Sequence, residues 1–343
     1  MKRIVFVLIC FFWAVTCPAK SNKTCFMTSG TSRARALAMG SAYISIEDDF
    51  SAGLYNPGAF RINATRSERP FRIFFNPAGA GVGLYEFSKY DYDFEKDDKL
   101  TAKETLLSAA TAIKGAVYTT PMFDLGINLW EEIIESDSTS TGNGRFFSAE
   151  QLTRNSFHTA FLNFKIAPSV SIGISGSVYS GRSDGETTYK SGHTFGVMLN
   201  PNPKMKVGIA YNNFPNDFSN ARFGLESLEN ETVTSGISYY PDKKTVLSID
   251  LRNLNKEDKL TAREIHAGIE REFGGMVSMR AGYYRKKSTK NDVISLGIGV
   301  LPRWEKLSKF ATSSRNDILS YTVILEENGF KKRWHVFSLL LRY

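Results

Sequence analysis

The chain has 343 residues, of which 42% are hydrophobic, 23% charged and 13% aromatic, with a formal charge of +8, 27 Gly, 11 Pro and 3 Cys. Ample apolar and aromatic content argues against disorder, and scarce cysteine argues against a disulfide scaffold. The basic residues are scattered over turns such as Arg285-Lys286-Lys287 rather than gathered on an aromatic-laced face, which argues against a nucleic-acid partner and for solvated loops touching anionic lipid head groups.

At the N-terminus, Lys2 and Arg3 precede a 12-residue apolar run, Ile4 to Val15, and small residues surround Cys17-Pro18-Ala19. The pattern predicts a secretory signal peptide over residues 1–19, cleaved after Ala19. The run is too short to span a bilayer as a helix, and nothing later in the chain is a candidate. Cleavage removes Cys10 and Cys17 and leaves Cys25 alone, so no intramolecular disulfide is expected.

Residues 20–65 are expected to form a compact, non-repetitive plug. Gly40 and Gly53 permit tight turns, and Pro57 fixes its own φ and biases Asn56 toward extended backbone. Asp48 and Asp49 are expected to accept backbone N–H groups where the chain reverses.

From about Phe71 to Tyr343 the dominant signal has period two, which marks strands with one apolar face. Ser171 to Gly181 sets Ile172, Ile174 and Val178 against Ser171, Ser175 and Ser177, and Ile294, Leu296, Ile298 and Val300 alternate with Ser295, Gly297 and Gly299. Val277, Met279, Ala281 and Tyr283 likewise alternate with Ser278, Arg280 and Gly282. Further strands are predicted at 71–75, 82–90, 115–120, 123–131, 156–166, 192–199, 204–212, 232–240, 245–252, 264–273, 318–326 and 333–343. The spacing is longer than in a soluble sandwich and suits about 14 membrane strands. Glu264 to Phe273 sets Ile265, Ala267, Ile269 and Phe273 against Glu264, His266, Gly268, Glu270 and Glu272. Such a polar side fits a barrel lumen and fits a solvated sheet face equally well. Aromatics such as Tyr239-Tyr240, Tyr283-Tyr284, Trp130, Trp304 and Trp334 lie near strand ends, where a membrane barrel carries its girdles and a soluble protein its core.

One stretch breaks the alternation. Asp97 to Lys114 carries Leu100, Leu107, Ala110 and Ile113 at roughly helical spacing without Gly or Pro, which predicts a short amphipathic helix inserted in a loop. At the other end of the chain Phe337, Leu339, Leu341 and Tyr343 alternate on the final strand, and Tyr343 is the last residue.

Motifs of catalysis are missing. His158, His193, His266 and His335 are far apart and form no paired metal motif. Gly79-Ala80-Gly81-Val82-Gly83 enters a predicted strand rather than a helix, unlike a phosphate loop. Neither enzymatic activity, a cofactor nor a metal is expected.

The residues 33 to 60, RARALAMGSAYISIEDDFSAGLYNPGAF, resemble a known family. The start at Ala34-Arg35-Ala36, the turn at Met39-Gly40-Ser41-Ala42, the apolar Tyr43, Ile44 and Ile46, the Asp48-Asp49 pair and the closing Asn56-Pro57 look like the N-terminal hatch of FadL/PorV-type outer-membrane barrels. The family usually reads Asn-Pro-Ala where this chain has Asn56-Pro57-Gly58-Ala59, a departure expected to add backbone freedom at the turn. The resemblance implies an all-β, transmembrane antiparallel barrel of 14 strands over residues 66–343, closed by a hatch in which Arg33, Met39, Gly40, Asp48, Asp49, Asn56 and Pro57 gate the lumen. The last strand looks like the signal by which bacterial barrels are recognised for outer-membrane assembly. That implies Phe337, Leu339, Leu341 and Tyr343 as the assembly signal, with outer-membrane lipids and the barrel-assembly machinery as partners. The function implied is passage of hydrophobic, fatty-acid-like small molecules across the outer membrane. The alternative is a PorV-type accessory barrel that holds secreted proteins or secretion-system subunits at the cell surface.

Overall fold

The computed structural model describes residues 24–28, 30–60, 70–77, 111–132, 156–183, 186–214, 231–254, 263–287, 290–301, 317–326 and 332–343. The predicted signal peptide, the strand at 82–90 and residues 97–110 of the predicted loop helix lie outside these residues. Among the described residues no helix is long and apolar enough to cross a membrane.

Among the described residues, sixteen strand segments form one sheet. They are β1 (Thr24–Thr28), β2 (Phe71–Phe75), β3 (Ile113–Thr119), β4 (Phe123–Glu132), β5 (Ser156–Ala167), β6 (Val170–Ser183), β7 (Glu186–Asn202) and β8 (Met205–Asn213). There follow β9 (Thr232–Tyr239), β10 (Thr245–Arg252), β11 (Glu264–Phe273), β12 (Val277–Arg285), β13 (Asp292–Val300), β14 (Leu319–Glu326), β15 (Lys332–Leu339) and β16 (Leu341–Arg342). From β2 to β15 each strand pairs antiparallel with the next, and β16 pairs back onto β2 through Leu341 with Phe75 and Arg342 with Phe74. Tyr343 extends that seam, exchanging two backbone hydrogen bonds of 2.8 and 2.9 Å with Ile73. Since β16 continues β15 past Leu340, the wall is a ring of fourteen antiparallel strands. Closing the sheet removes the exposed edges that strands otherwise present.

β1 is a fifteenth strand that alternation did not announce. It lies parallel to β15, Thr24 opposite Lys332 and Thr28 opposite Val336. Part of the expected 20–65 plug therefore belongs to the wall. A second correction concerns the predicted loop helix: its last residues, Ile113 and Lys114, are already in β3. Gly115, at φ +153, lets β3 pass its added Cβ position 1.9 Å from the Ile127 carbonyl, a site no side chain could share.

The two faces of the sheet have opposite chemistry, and the burial shows which is which. On β11, Ile265, Ile269 and Phe273 are 61, 43 and 47% exposed, whereas Glu264, His266, Glu270 and Glu272 are at most 8% exposed. The same inversion runs round the ring: Leu125, Ile174, Ile209, Ile249, Met279 and Leu296 face out, while Asn128, Ser175, Thr194, Asp250, Arg280 and Thr322 are buried. Apolar outside and polar within is the arrangement a barrel needs in lipid. At the end of the barrel where most connections are short, Phe71, Tyr118, Phe164, Tyr239, Phe273 and Tyr343 are exposed as an aromatic girdle.

Candidate functional site

Residues 30–60 fill the interior. They include the helices Ala34–Ala38 and Phe50–Tyr55 and the 3-10 turn Pro57–Ala59, and all but Glu47 among residues 30–60 are buried. Helices this short gain little from their own hydrogen bonds, so the barrel wall must hold them. Every wall strand from β4 to β14, and β16, supplies a contact to this segment.

One set of contacts grips its beginning. A bulge between Asn128 and Glu131, with Trp130 at φ +54, shifts the alternation of β4 and turns Glu131 inward. The Glu131 carboxylate accepts the Thr31 hydroxyl, the Ser32 hydroxyl at 2.8 Å, the Ser32 N–H at 3.0 Å and Arg33 Nε at 3.3 Å. Lys114 Nζ stands 3.4 Å away. Arg33 also donates to the Glu132 carbonyl at 3.1 Å.

The second set is a chain of alternating charges. Arg35 makes two contacts of 2.8 Å with Glu270, through Nε and Nη2, and a third with Asp48 at 3.0 Å. Glu270 in turn accepts Arg280 Nε at 2.6 Å, and Arg280 reaches Asp317 at 2.6 Å. Paired in this way, five buried charges each have an opposite neighbour, which buried ions require. Asp48 also accepts the Tyr43 hydroxyl at 2.6 Å, and Asp49 pairs with Arg342 Nε at 2.5 Å. Burial pushes the Asp49 carboxyl up from its ordinary pKa, against the pull of Arg342. Asp48 and Asp49 thus form ion pairs with arginines, rather than the turn-capping contacts expected of them.

Elsewhere the wall meets backbone. Asp250 accepts the N–H groups of Tyr43 and Ile44 at 2.6 and 3.0 Å, Arg252 donates to the Ser41 carbonyl at 2.6 Å, and Thr322 donates to the Ala34 carbonyl at 2.7 Å. Gly40, at φ +61, takes the left-handed turn expected of it, and its N–H donates to Ser295 at 3.0 Å. The wall is thinned to admit the segment: a Cβ on Gly282 would lie 1.9 Å from Gly40 N, and one on Gly208 would lie 2.1 Å from the Ile44 carbonyl. Met39 is fully buried, with its carbonyl 2.4 Å from where a Cβ on Gly268 would sit.

The Asn56-Pro57 turn works by capping. Asn56 accepts Gly58 N–H at 2.9 Å and donates to the carbonyls of Ile44 at 2.8 Å and Val197 at 3.1 Å, while Pro57 starts the 3-10 turn. Gly58 has no positive φ; a Cβ there would lie 2.8 Å from the Gly196 carbonyl. Its smallness serves close approach to β7 rather than backbone freedom.

The inner wall also carries an apolar patch: on β2, β3, β5 and β7, Phe74, Val117, Phe157, Phe161 and Met198 are covered by Phe50, Leu54 and Phe60. Phe50 and Phe74 stand 4.4 Å apart between ring centres, and Phe60 and Phe161 stand 5.0 Å apart. Where the segment and the wall part slightly, a cavity of about 20 Å³ remains beside Arg35, Asp48, Asp317 and Arg342, room for a single water.

All seven residues expected to gate the lumen are therefore buried inside the ring, together with wall partners that the sequence did not assign to the site: Glu131, Asp250, Glu270, Arg280, Asp317 and Arg342. The polar face of β11 was the one visible signal for Glu270. The four expected assembly residues lie on the outward side of the last strand, with Tyr343 the most exposed at 64%. Among the described residues, no group of three or more His, Cys, Asp or Glu is placed to hold a metal ion.

No family model matches the chain, and no curated protein matches it. Among solved structures, the Ralstonia pickettii toluene transporter TbuX is similar, with a TM-score of 0.44 at 9% identity, covering 87% of this chain and 93% of that one. A Rhodopseudomonas blastica porin variant gives a TM-score of 0.33 at 12% identity, covering 68% of this chain and 77% of its own. The fold rests on its own strand pairing.

Proposed function

We propose that the chain is a bacterial outer-membrane barrel through which hydrophobic small molecules of the fatty-acid class pass, with residues 30–60 serving as a hatch. The observation that supports this is the apolar patch of Phe74, Val117, Phe157, Phe161 and Met198 on the inner wall, sealed by hatch residues. The lumen of a water-filled porin is polar, and an aromatic surface within the lumen departs from that pattern. Displacing the hatch would uncover a path on which an acyl chain gains about 0.8 kcal/mol per buried CH₂. The hatch is held by ion pairs and hydrogen bonds to one continuous wall, contacts that a conformational change can break and remake without covalent chemistry.

The test is uptake. A bacterial strain lacking its own outer-membrane carriers for hydrophobic compounds, made to express this chain, should accumulate labelled long-chain fatty acid faster than the same strain with an empty vector. Folded barrel in the outer-membrane fraction with unchanged uptake would overturn the reading. Co-purification of a stoichiometric exported protein would favour the secretion-accessory alternative instead.

A further inference from the structure

The outer wall carries a feature that passage through the lumen does not use. On the lipid-facing side of β11 to β14, a trough of about 590 Å³ is lined by Arg271, Phe273, Met279, Ala281, Leu296 and Ile298. Ala281 is the reason for the depression. In its cross-strand row it stands between Ile269 and Leu296, both outward and large. Tyr321 forms part of the floor and shares its hydroxyl with His335 Nδ1 at 2.7 Å, so that the surface offered is apolar.

The rim at the short-turn end is basic. Arg271 lies outward beside the girdle residue Phe273, its guanidinium 6.0 Å from the ring centre and 3.3 Å from the Thr245 hydroxyl. Lys244 is exposed in the adjoining turn, its carbonyl accepting the Glu272 N–H at 2.9 Å. The acid in that turn, Asp242, accepts the Lys244 N–H at 2.7 Å and the Thr245 hydroxyl at 3.1 Å and keeps its charge near Arg271; against it stand three cations, Arg271 and the exposed Lys243 and Lys244, so the rim is net basic. Cations at the girdle above an apolar groove complement an anionic head group with an acyl chain below it.

We infer that this trough is a binding site for one anionic phospholipid, with Arg271 and Lys244 on the phosphate and an acyl chain along Phe273, Met279, Ala281 and Leu296. The site rests on the membrane-barrel reading, although it is independent of what the lumen carries. Each cation near an anionic head group strengthens binding about fivefold.

The experiment compares three proteins: the wild-type chain, the double variant Arg271→Gln with Lys244→Gln, and Ala281→Phe, which fills the trough and leaves both cations. Each is reconstituted into phosphatidylethanolamine vesicles containing a minor share of phosphatidylglycerol, released in mild detergent and weighed by native mass spectrometry. The wild type should retain one phosphatidylglycerol molecule. The double variant should hold it roughly 25-fold more weakly, at about fivefold per charge, and Ala281→Phe should lose it although the charge is intact. Equal retention by all three, or retention of phosphatidylethanolamine alone, overturns the site. A wild-type chain that fails to float with vesicles overturns the barrel reading and the site together, whereas one that floats without retaining phosphatidylglycerol overturns the site alone.

Discussion

Arg35 and Glu270, 235 positions apart in the chain, meet inside the barrel through two contacts of 2.8 Å that match the fork of a guanidinium to both oxygens of a carboxylate. Glu270 also receives Arg280, so one wall carboxylate balances a cation of the interior segment and a cation of the wall at once. Replacing it by Gln would leave Arg35 with Asp48 and Arg280 with Asp317 as their charged partners and would remove the carboxylate that joins them. Glu270→Gln should weaken the docking of the hatch by about 1.5–3 kcal/mol, the usual worth of hydrogen bonds to a charged group. In planar bilayers the variant should show frequent large-conductance openings that the wild type lacks. Conductance equal to the wild type would mean that the ion chain does not hold the hatch.

At the other grip, Glu131 gathers two hydroxyls, a backbone N–H, Arg33 and Lys114. Glu131→Ala strands several of these donors in a buried place, each costing about 1–3 kcal/mol. The expected outcome is local: amide hydrogen exchange at residues 31–33 should accelerate at least tenfold, while β9 to β13 keep their protection. Uniform loss of protection would mean that Glu131 supports the whole barrel instead.

The wall glycines allow a steric test with an internal control. Gly282→Ala puts a methyl group 1.9 Å from Gly40 N, whereas a Cβ on Gly176 meets nothing within 4 Å. Gly282→Ala should still give a folded barrel, recognised by heat-modifiable mobility on gels, but with the hatch displaced and a cost of about 1–3 kcal/mol from overpacking. Gly176→Ala should match the wild type in both mobility and conductance. If the two alanines behave alike, close approach of the hatch to β12 is not what Gly282 serves.

The fold was largely legible because period two survives in a membrane barrel as well as in a soluble sheet. The bounds of β2, β10 and β11 coincide with the runs at 71–75, 245–252 and 264–273. Alternation alone is symmetric, though, and the EIHAGIEREF stretch could not say which of its faces meets water; closure of the ring decides that. β1 escaped because five residues, TCFMT, carry no alternation and earn their place by parallel pairing with β15. The tight turn at Gly40 and the Asn56-Pro57 corner were legible because they follow from local backbone chemistry. The ion pairs of Arg35, Asp48 and Asp49 were not, since their partners lie on strands far along the chain, and Glu131 faces inward only because a bulge at Trp130 resets the parity of β4.

The last residue has two separable parts. The backbone of Tyr343 closes the ring by exchanging hydrogen bonds with Ile73, while its side chain points outward and is 64% exposed. Arg342, one position earlier, points inward to Asp49 and lies 6.0 Å from the Phe74 ring centre. Tyr343→Ser keeps the backbone pairing and removes only the ring, so the purified chain should refold in detergent to the same heat-modifiable band as the wild type. In cells the same variant should reach the outer membrane in reduced amount if the terminal aromatic is an assembly signal. Deleting Arg342 and Tyr343 together removes all of the seam with β2 except the Leu341–Phe75 pair, together with the partner of Asp49, and should abolish refolding in detergent as well. A Tyr343→Ser chain that assembles in cells at wild-type levels would confine the role of the last residue to its backbone.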